Sequence, residues 1–264
     1  EDAYRELEVV NAANTQHLET YKSFLYNRLQ RKGSDSKDIH RLAARDRHVF
    51  AALMLAHGHG DGLVTGATRK SAHVLERLNH VFDANAKHGA VGITALLHKG
   101  RIVFIGDTLV HEWPNEEDLA NIAEKGAKVA RHMGLEPRVA FVSFSTFGYP
   151  VSERAEKMQR APDVLDARGV DFEYEGEMTV DVALNAESQK NYPFSRLTGP
   201  ANILVVPARH SASISVKLMQ EMAGATVIGP ILTGLDKSIQ ICSTTSTAND
   251  ILNMAILAAC KVGE

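Results

Sequence analysis

Cysteine is scarce in this chain of 264 residues, with only Cys242 and Cys260 present. Their spacing suits neither a disulfide framework nor a thiolate metal site, and such usage is expected of a protein in the reducing cytoplasm. No apolar run reaches the ~18 residues of a membrane span, so no membrane partner is expected. The N-terminal EDAYRELEVV lacks the basic and apolar regions of a signal peptide. It opens in mid-pattern without Met, as expected for a piece of a longer chain. A large charge of one sign is also missing. The net charge of −3 gives no nucleic-acid footprint. No GxSxG elbow is present, so the chain's hydroxyl-rich turns are not the nucleophile turn of a hydrolase.

What is there is ordinary for a soluble globular protein: 44% hydrophobic and 23% charged residues. The length permits one large domain or two lobes. Leu18, Tyr21, Leu25 and Leu29 recur at spacings of three and four before Gly33, which predicts a helix with a glycine stop. One further helix is expected through SKDIHRLAARDRHVFAALMLAHG, then a strand at DGLVTG and a helix in TRKSAHVLERLNHVF. From about residue 90 the pattern alternates. ALLHKGRIVFIGD reads as a hairpin turning at Lys99-Gly100. PNEEDLANIAEKGAKVARHMG carries acids at its start and bases near its end, as a capped helix does. RVAFVSF and ANILVVPA are continuous apolar strands of the kind buried on both faces of a mainly parallel sheet. The expected fold is therefore α/β: two-lobed, a three-layer α/β/α arrangement with a mainly parallel sheet. Residues 1–82 with 234–264 would form the first lobe and 83–233 the second.

Several stretches are candidate sites. In HGHGDG, His57, His59 and Asp61 could ligate a metal, but alternate residues diverge and the glycines suit a helix exit, so no metal is expected. VTGATRKS sets Thr65, Gly66 and Arg69, followed by Lys70 and Ser71, at a strand-to-helix junction. Backbone N–H groups and two bases there make an anion cradle plausible. FSTFGYP places Ser143, Ser145, Thr146 and Gly148 beyond a strand's carboxyl end, where ligands of open α/β sheets bind. Glu177 and Asp181 would share one face if GEMTVDVALN were helical. Gly229 and Pro230 allow close approach of a flat ligand or of another strand. Finally, QICSTTSTANDILNMAILAAC runs from a strand through Ser243, Thr244 and Thr245 into a helix carrying Asp250, with no Lys or Arg between Lys237 and Lys261. It could be an active site, a former one, or a capped helix.

In their order and spacing, GDGLVTGAT, FSTFG, EGEMTVDVAL, GPANILVVPA, GATVIGPILTGLDKSIQICS and NDILNMAILAA resemble the phosphate acetyltransferase/butyryltransferase family over nearly the whole chain. The resemblance implies the two-lobed, isocitrate dehydrogenase-like architecture, acetyl-CoA in the cleft between lobes, and a homodimer. In active members a Ser-Arg pair ends the last strand, and an Asp seven residues after the Ser deprotonates the CoA thiol. Here the Ser is Ser243 and the Asp is Asp250, but the Arg position holds Thr244. Phe147 stands where a Lys is usual, and Glu76 and Leu29 stand near two further family arginines.

GRIVFIGDTLVHEWPNEEDLANIA, LEPRVAFVSFSTFG and DKSIQICSTTSTANDILNMA resemble more closely the C-terminal domain of bacterial hybrid NADP-dependent malic enzymes. That resemblance implies a non-catalytic domain with a vestigial Ser243–Thr244–Asp250 site that senses acetyl-CoA. Its ligand would touch Thr65, Gly66, Arg69, Ser143, Thr146, Gly148, Gly229, Pro230, Ser243, Thr244, Thr245 and Asp250. NADP and a divalent metal would belong to a preceding catalytic region, within a higher homo-oligomer. The chain has no GxGxxG turn, which suits a piece without the dehydrogenase part. A working phosphate acetyltransferase and a purely structural oligomerisation module are the competing readings.

Overall fold

The computed structural model describes residues 7–83 and 89–262. Four helices come first: α1 (Leu18–Leu29), α2 (Ser36–Arg45), α3 (Arg47–Ala56) and, after strand β1 (Gly62–Gly66), α4 (Ser71–Leu78). The single helix expected over residues 36–58 is two helices. Asp46 leaves the helical conformation at φ −94°, ψ 106°, and its carboxylate accepts from the His48 and Val49 amides as the N-cap of α3. Apolar periodicity continues across the break, which is why it reads as one helix. The buried faces of these helices form one core around Tyr21, Leu25, Phe50, Leu53 and Leu78, with Leu63 of β1 packed against it.

The remaining elements are β2 (Val91–His98), β3 (Arg101–Gly106), α5 (Glu116–His132), β4 (Arg138–Val142), α6 (Glu153–Arg168), β5 (Glu173–Met178), α7 (Val180–Leu184), α8 (Ala186–Gln189), β6 (Ile203–Val205), α9 (Arg209–Ala223), β7 (Thr226–Thr233), β8 (Ser238–Cys242) and α10 (Ala248–Ala259). Six strands make one mixed sheet in the order β5-β4-β6-β3-β2-β7. Its β5-β4, β4-β6 and β6-β3 pairings are parallel, while β2 is antiparallel to both neighbours. The β2–β3 hairpin turns at Lys99 and Gly100, both with positive φ (48° and 75°). Such a turn twists the way the strands do.

Alternation along each strand makes this sheet three-layered. Phe104, Val139, Phe141 and Ile203 face α5 and α6. Ile105, Ala140, Val142 and Leu204 face α7 and α9. Asn115 and Asp118 form a reciprocal capping box at the start of α5, as its acidic N-terminus predicts.

β1 and β8 form a separate two-stranded parallel sheet, Gly66 lying opposite Cys242. Ile239 and Ile241 of β8 face the helical core, whereas Cys242 joins Met254 and Leu257 of α10 in the core of the larger sheet. β8 touches β7 without entering its sheet. Gln240, wholly buried, accepts from the Leu232 amide at 2.9 Å and donates its own amide N–H to the Leu232 carbonyl at 3.1 Å.

Candidate functional site

A cleft of about 240 Å³ lies between α9, β7 and the β8–α10 junction. β8 delivers Cys242 and Ser243 to it, and the first turns of α10 deliver Asp250, Asn253 and Met254. Gly229 of β7 forms part of the floor, and Val216, Lys217 and Gln220 of α9 form a wall. The hydroxyl-rich bend is ordered by its own side chains. Ser243 Oγ lies 2.9 Å from Thr245 Oγ1 and accepts from the Thr245 amide at 3.1 Å. Asp250 Oδ2 accepts from the amide and the hydroxyl of Thr247, both at 2.8 Å, while Thr247 Oγ1 accepts from the Asp250 amide. The bend is thus a capped helix start as well as a cleft wall. Burial pushes the Cys242 thiol above its ordinary value, and the charge of Asp250 adds to this.

On the other side of β1 is a larger basic cavity of about 470 Å³, lined by Arg45, Arg47, His48, Arg69, His73 and Arg77 together with Asp46. Asp46 pairs with Arg77 at 3.4 Å. Burial holds the His48 imidazole below its ordinary value. Asp46 opposes that shift, and Arg47, His73 and Arg69 reinforce it. His48 Nδ1 is 2.7 Å from Thr65 Oγ1, so this cavity reaches the end of β1 directly. Four guanidiniums against one carboxylate suit an anionic ligand such as a phosphate.

The structure sorts the sequence candidates into three places. Gly229, Ser243, Thr245 and Asp250 share the cleft. Thr244 is exposed and lies outside its lining. Pro230 comes directly after Gly229 in β7 and is likewise outside the lining. Arg69 lines the basic cavity, with Thr65 bonded to His48 beside it. Gly66 is where β1 meets β8: a Cβ there would lie 2.2 Å from the Cys242 carbonyl oxygen, so this glycine serves strand pairing.

Ser143, Thr146 and Gly148 come after β4, across the sheet from β7, and line neither cavity. This loop is tied instead to the end of β5 and the start of α7. Thr146 Oγ1 accepts from the amide of Thr179, the N-cap residue of α7, at 3.1 Å, and the Gly148 amide donates to Glu177 Oε1 at 3.0 Å.

The close approach at Gly229 is to another strand, since its Cβ would meet backbone atoms of Ile93 and Thr94 at 3.0 and 3.1 Å. Glu177 and Asp181 do not share a helix face. Glu177 is the buried penultimate residue of β5, and Asp181 is exposed in α7, because the strand extends to Met178 before the helix starts.

His57 and His59 belong to an aromatic cluster. His57 Nδ1 is 2.8 Å from the Leu53 carbonyl, and His59 Nδ1 is 2.6 Å from the Tyr21 hydroxyl. Among the described residues no group of three His, Cys, Asp or Glu is arranged to hold a metal. Nor is any helix there long and apolar enough to cross a membrane. Of the other departures from the family pattern, Leu29 is buried in the helical core, Glu76 is exposed, and Phe147 packs against Tyr192 and Phe194.

The sequence reading missed the α9 wall and the arginines of α2 and α3. Helical periodicity says which residues turn inward, not which neighbour they meet. The run RDRH at 45–48 was the available signal for the basic cavity.

A mixed α/β sheet flanked by helices, with a hydroxyl-rich cleft at a strand-to-helix bend and a cluster of guanidiniums beside it, defines a transacetylase-like domain. The sequence pattern described as phosphate acetyl/butaryl transferase matches residues 2–259, and the chain belongs to that family. It is 49% identical over 257 residues to an NADP-dependent malic enzyme of Rhizobium meliloti, a match covering 97% of this chain and 34% of that protein. It is 30% identical over 260 residues to a phosphate acetyltransferase of Corynebacterium glutamicum, covering 97% of this chain and 78% of that one. The solved structure of a phosphotransacetylase from Streptococcus pyogenes superposes with a TM-score of 0.87 at 25% identity, covering 96% of this chain and 78% of the other. The chain thus spans about a third of the length of the malic enzyme it matches.

Proposed function

We propose that this chain is the acetyl-CoA-sensing, non-catalytic domain of an NADP-dependent malic enzyme. The observation that carries the reading is the charge balance of the cleft. Among the described residues its lining holds Lys217 and Asp250 as charged groups and no guanidinium, and Thr244 stands at the strand end. Transfer of an acetyl group between CoA and phosphate brings two anions together. Loss of one charge donor from such a site costs about 3–4 kcal/mol, a few hundredfold in rate. Binding is less demanding, because glycine and hydroxyl groups on the cleft wall admit a pantetheine arm and the nearby arginines suit phosphates. In this reading the decarboxylation of malate, with its NADP and divalent metal, belongs to the part of the parent chain outside these residues.

The competing reading is a working phosphate acetyltransferase. The four guanidiniums of the basic cavity and the likeness to the Corynebacterium glutamicum enzyme favour it. Calorimetry with acetyl-CoA and an assay for acetyl phosphate separate the two. Saturable binding without acetyl phosphate formation is the expected result. Turnover within about tenfold of an ordinary transferase, or no binding at all, overturns the proposal.

A further inference from the structure

Asp107, directly after β3, is 2% exposed, and its carboxylate gathers the start of the loop that leads to α5. Its Oδ1 accepts from the amides of Gly92, Leu109 and Val110 at 3.0, 2.7 and 3.1 Å. Its Oδ2 accepts from the His111 amide at 2.9 Å and from His111 Nδ1 at 2.7 Å. A carboxylate so deep is costly unless it is satisfied in this way. The packing shows what the bonds achieve: they turn Leu109 and Val110 out of the larger sheet and into the helical core around Tyr21 and Leu53. Gly92 makes room for the turn, since a Cβ there would lie 2.5 Å from that of Leu109. The loop is a peg set from one core into the other.

His111 closes this loop. Its Nδ1 faces a carboxylate oxygen and so carries a hydrogen whatever the charge of the ring. Its Nε2 is 3.8 Å from Oδ1 of Asp118, whose other oxygen accepts from the Asn115 amide in the capping box of α5. The proton on Nε2 therefore decides between two arrangements: a cation between two carboxylates, or a neutral ring whose acceptor nitrogen faces an acceptor oxygen. The charged groups facing the ring are Asp107 on its own loop and Asp118 on α5. The hydrogen bond with Asp107, opposed by burial and aided by both carboxylate charges, raises its pKa. On the side of α9, Glu112 is paired with Arg209 at 3.6 Å, and Arg209 Nη1 donates to the Leu109 carbonyl at 3.2 Å.

We propose that His111 is a proton-operated clasp on this peg. Charged, it bridges Asp107 and Asp118 and holds Leu109 in the helical core; neutral, it loses the bridge and the peg loosens. The direction follows from the raised pKa. The clasp is complete below the unfolded value of about 6.5 and is lost as pH rises through the raised folded value. The inference rests on this loop alone and holds whatever occupies the cleft. It reaches the cleft all the same, because Arg209 opens α9, and Val216 and Gln220 of that helix line the ligand space.

NMR of the 264-residue chain tests the proposal. The His111 ring and the hydrogen-exchange protection of the Leu109 and Val110 amides are followed together from about pH 6 to about pH 9. Protection, corrected for the intrinsic pH dependence of exchange, is expected to fall about tenfold with the same midpoint as the ring, while Val139 in β4 keeps its protection. This series uses the unmodified chain and needs no variant to fold. Asp118→Asn keeps an acceptor for the Asn115 amide but removes the charge, so both midpoints should move to lower pH together. His111→Gln, still able to donate to Asp107, should show the low protection at every pH. A residue that only fills space does not give two midpoints that move as one. Protection that stays level through the ring titration overturns the proposal. An equal fall at Val139 does so too, since the loosening is then global. Midpoints unmoved by Asp118→Asn overturn the bridge to α5.

Discussion

Gly66 shows how closely one residue binds local geometry to the site. It sits at φ 109°, a conformation side chains rarely adopt, and its missing Cβ leaves room for the Cys242 carbonyl. Gly66→Ala would bring a methyl group against backbone that cannot yield. The expected loss is about 3 kcal/mol, read as a lower urea midpoint. A change below about 0.5 kcal/mol would show that the β1–β8 ends are not closely paired.

Two histidines pull the pH dependence of stability in opposite directions. His111 Nδ1 is 2.7 Å from buried Asp107, and this hydrogen bond, opposed by burial, raises its pKa. Its stabilisation is complete below the unfolded value of about 6.5 and is lost as pH rises through the raised folded value. His48 is buried and its pKa is lowered, so its contribution is complete above about 6.5 and is lost as pH falls through the lowered folded value. His111→Gln should flatten the alkaline limb of a stability–pH curve and His48→Gln the acid limb. NMR titration of the two rings should place His111 above His48. The opposite order would mean that neither ring sits in the surroundings assigned to it.

At the scale of elements, one cap residue, Asp46, decides where α3 begins. Asp46→Ala should cost about 1 kcal/mol through the lost N-cap of α3, whereas Asp46→Asn should keep most of that while losing the pairing with Arg77. Thermal melts of both variants check this; equal losses would assign the effect to charge rather than to capping.

The same residue shows how far the sequence could be read. Strands such as RVAFVSF and the helix opening at Asn115 are legible because one apolar run or one capping pattern admits a single local structure. Asp46 is not, since an acid inside an apolar-periodic stretch reads equally as a solvated helix residue or as a cap. The candidate site divides in the same way. Ser243 and Asp250 are joined by one short bend and could be placed together from spacing alone. Their wall on α9 depends on which helix the sheet order brings alongside. The grouping of Ser143 and Thr146 with them fails to appear in a common cavity because β4 and β7 are separated by three strands.

For the whole molecule, the proposed sensing role implies a measurable coupling. An effector shifts an enzyme only by its difference in affinity for two states, typically about 1–3 kcal/mol or 5–150-fold. Acetyl-CoA is expected to inhibit the parent malic enzyme without resembling malate or NADP, and deleting the segment matching residues 1–264 should abolish that inhibition. Equal inhibition of the truncated enzyme would place the effector at the malate site instead.

If that coupling exists, the Gln240 contact lies where the smaller sheet meets the larger. Its side-chain amide repeats, with one donor and one acceptor, the pairing that a neighbouring strand would offer Leu232. A backbone ladder fixes the angle between strands because every rung must break together. A single side-chain amide imposes no such ladder, so a tilt of the smaller sheet against the larger would have to break only these two hydrogen bonds between β7 and β8. Hydrogen exchange at the Leu232 amide would report the state of that contact, slow while it is engaged and fast in a Gln240→Leu variant. Any ligand that changes the tilt should change that one exchange rate before it disturbs either sheet.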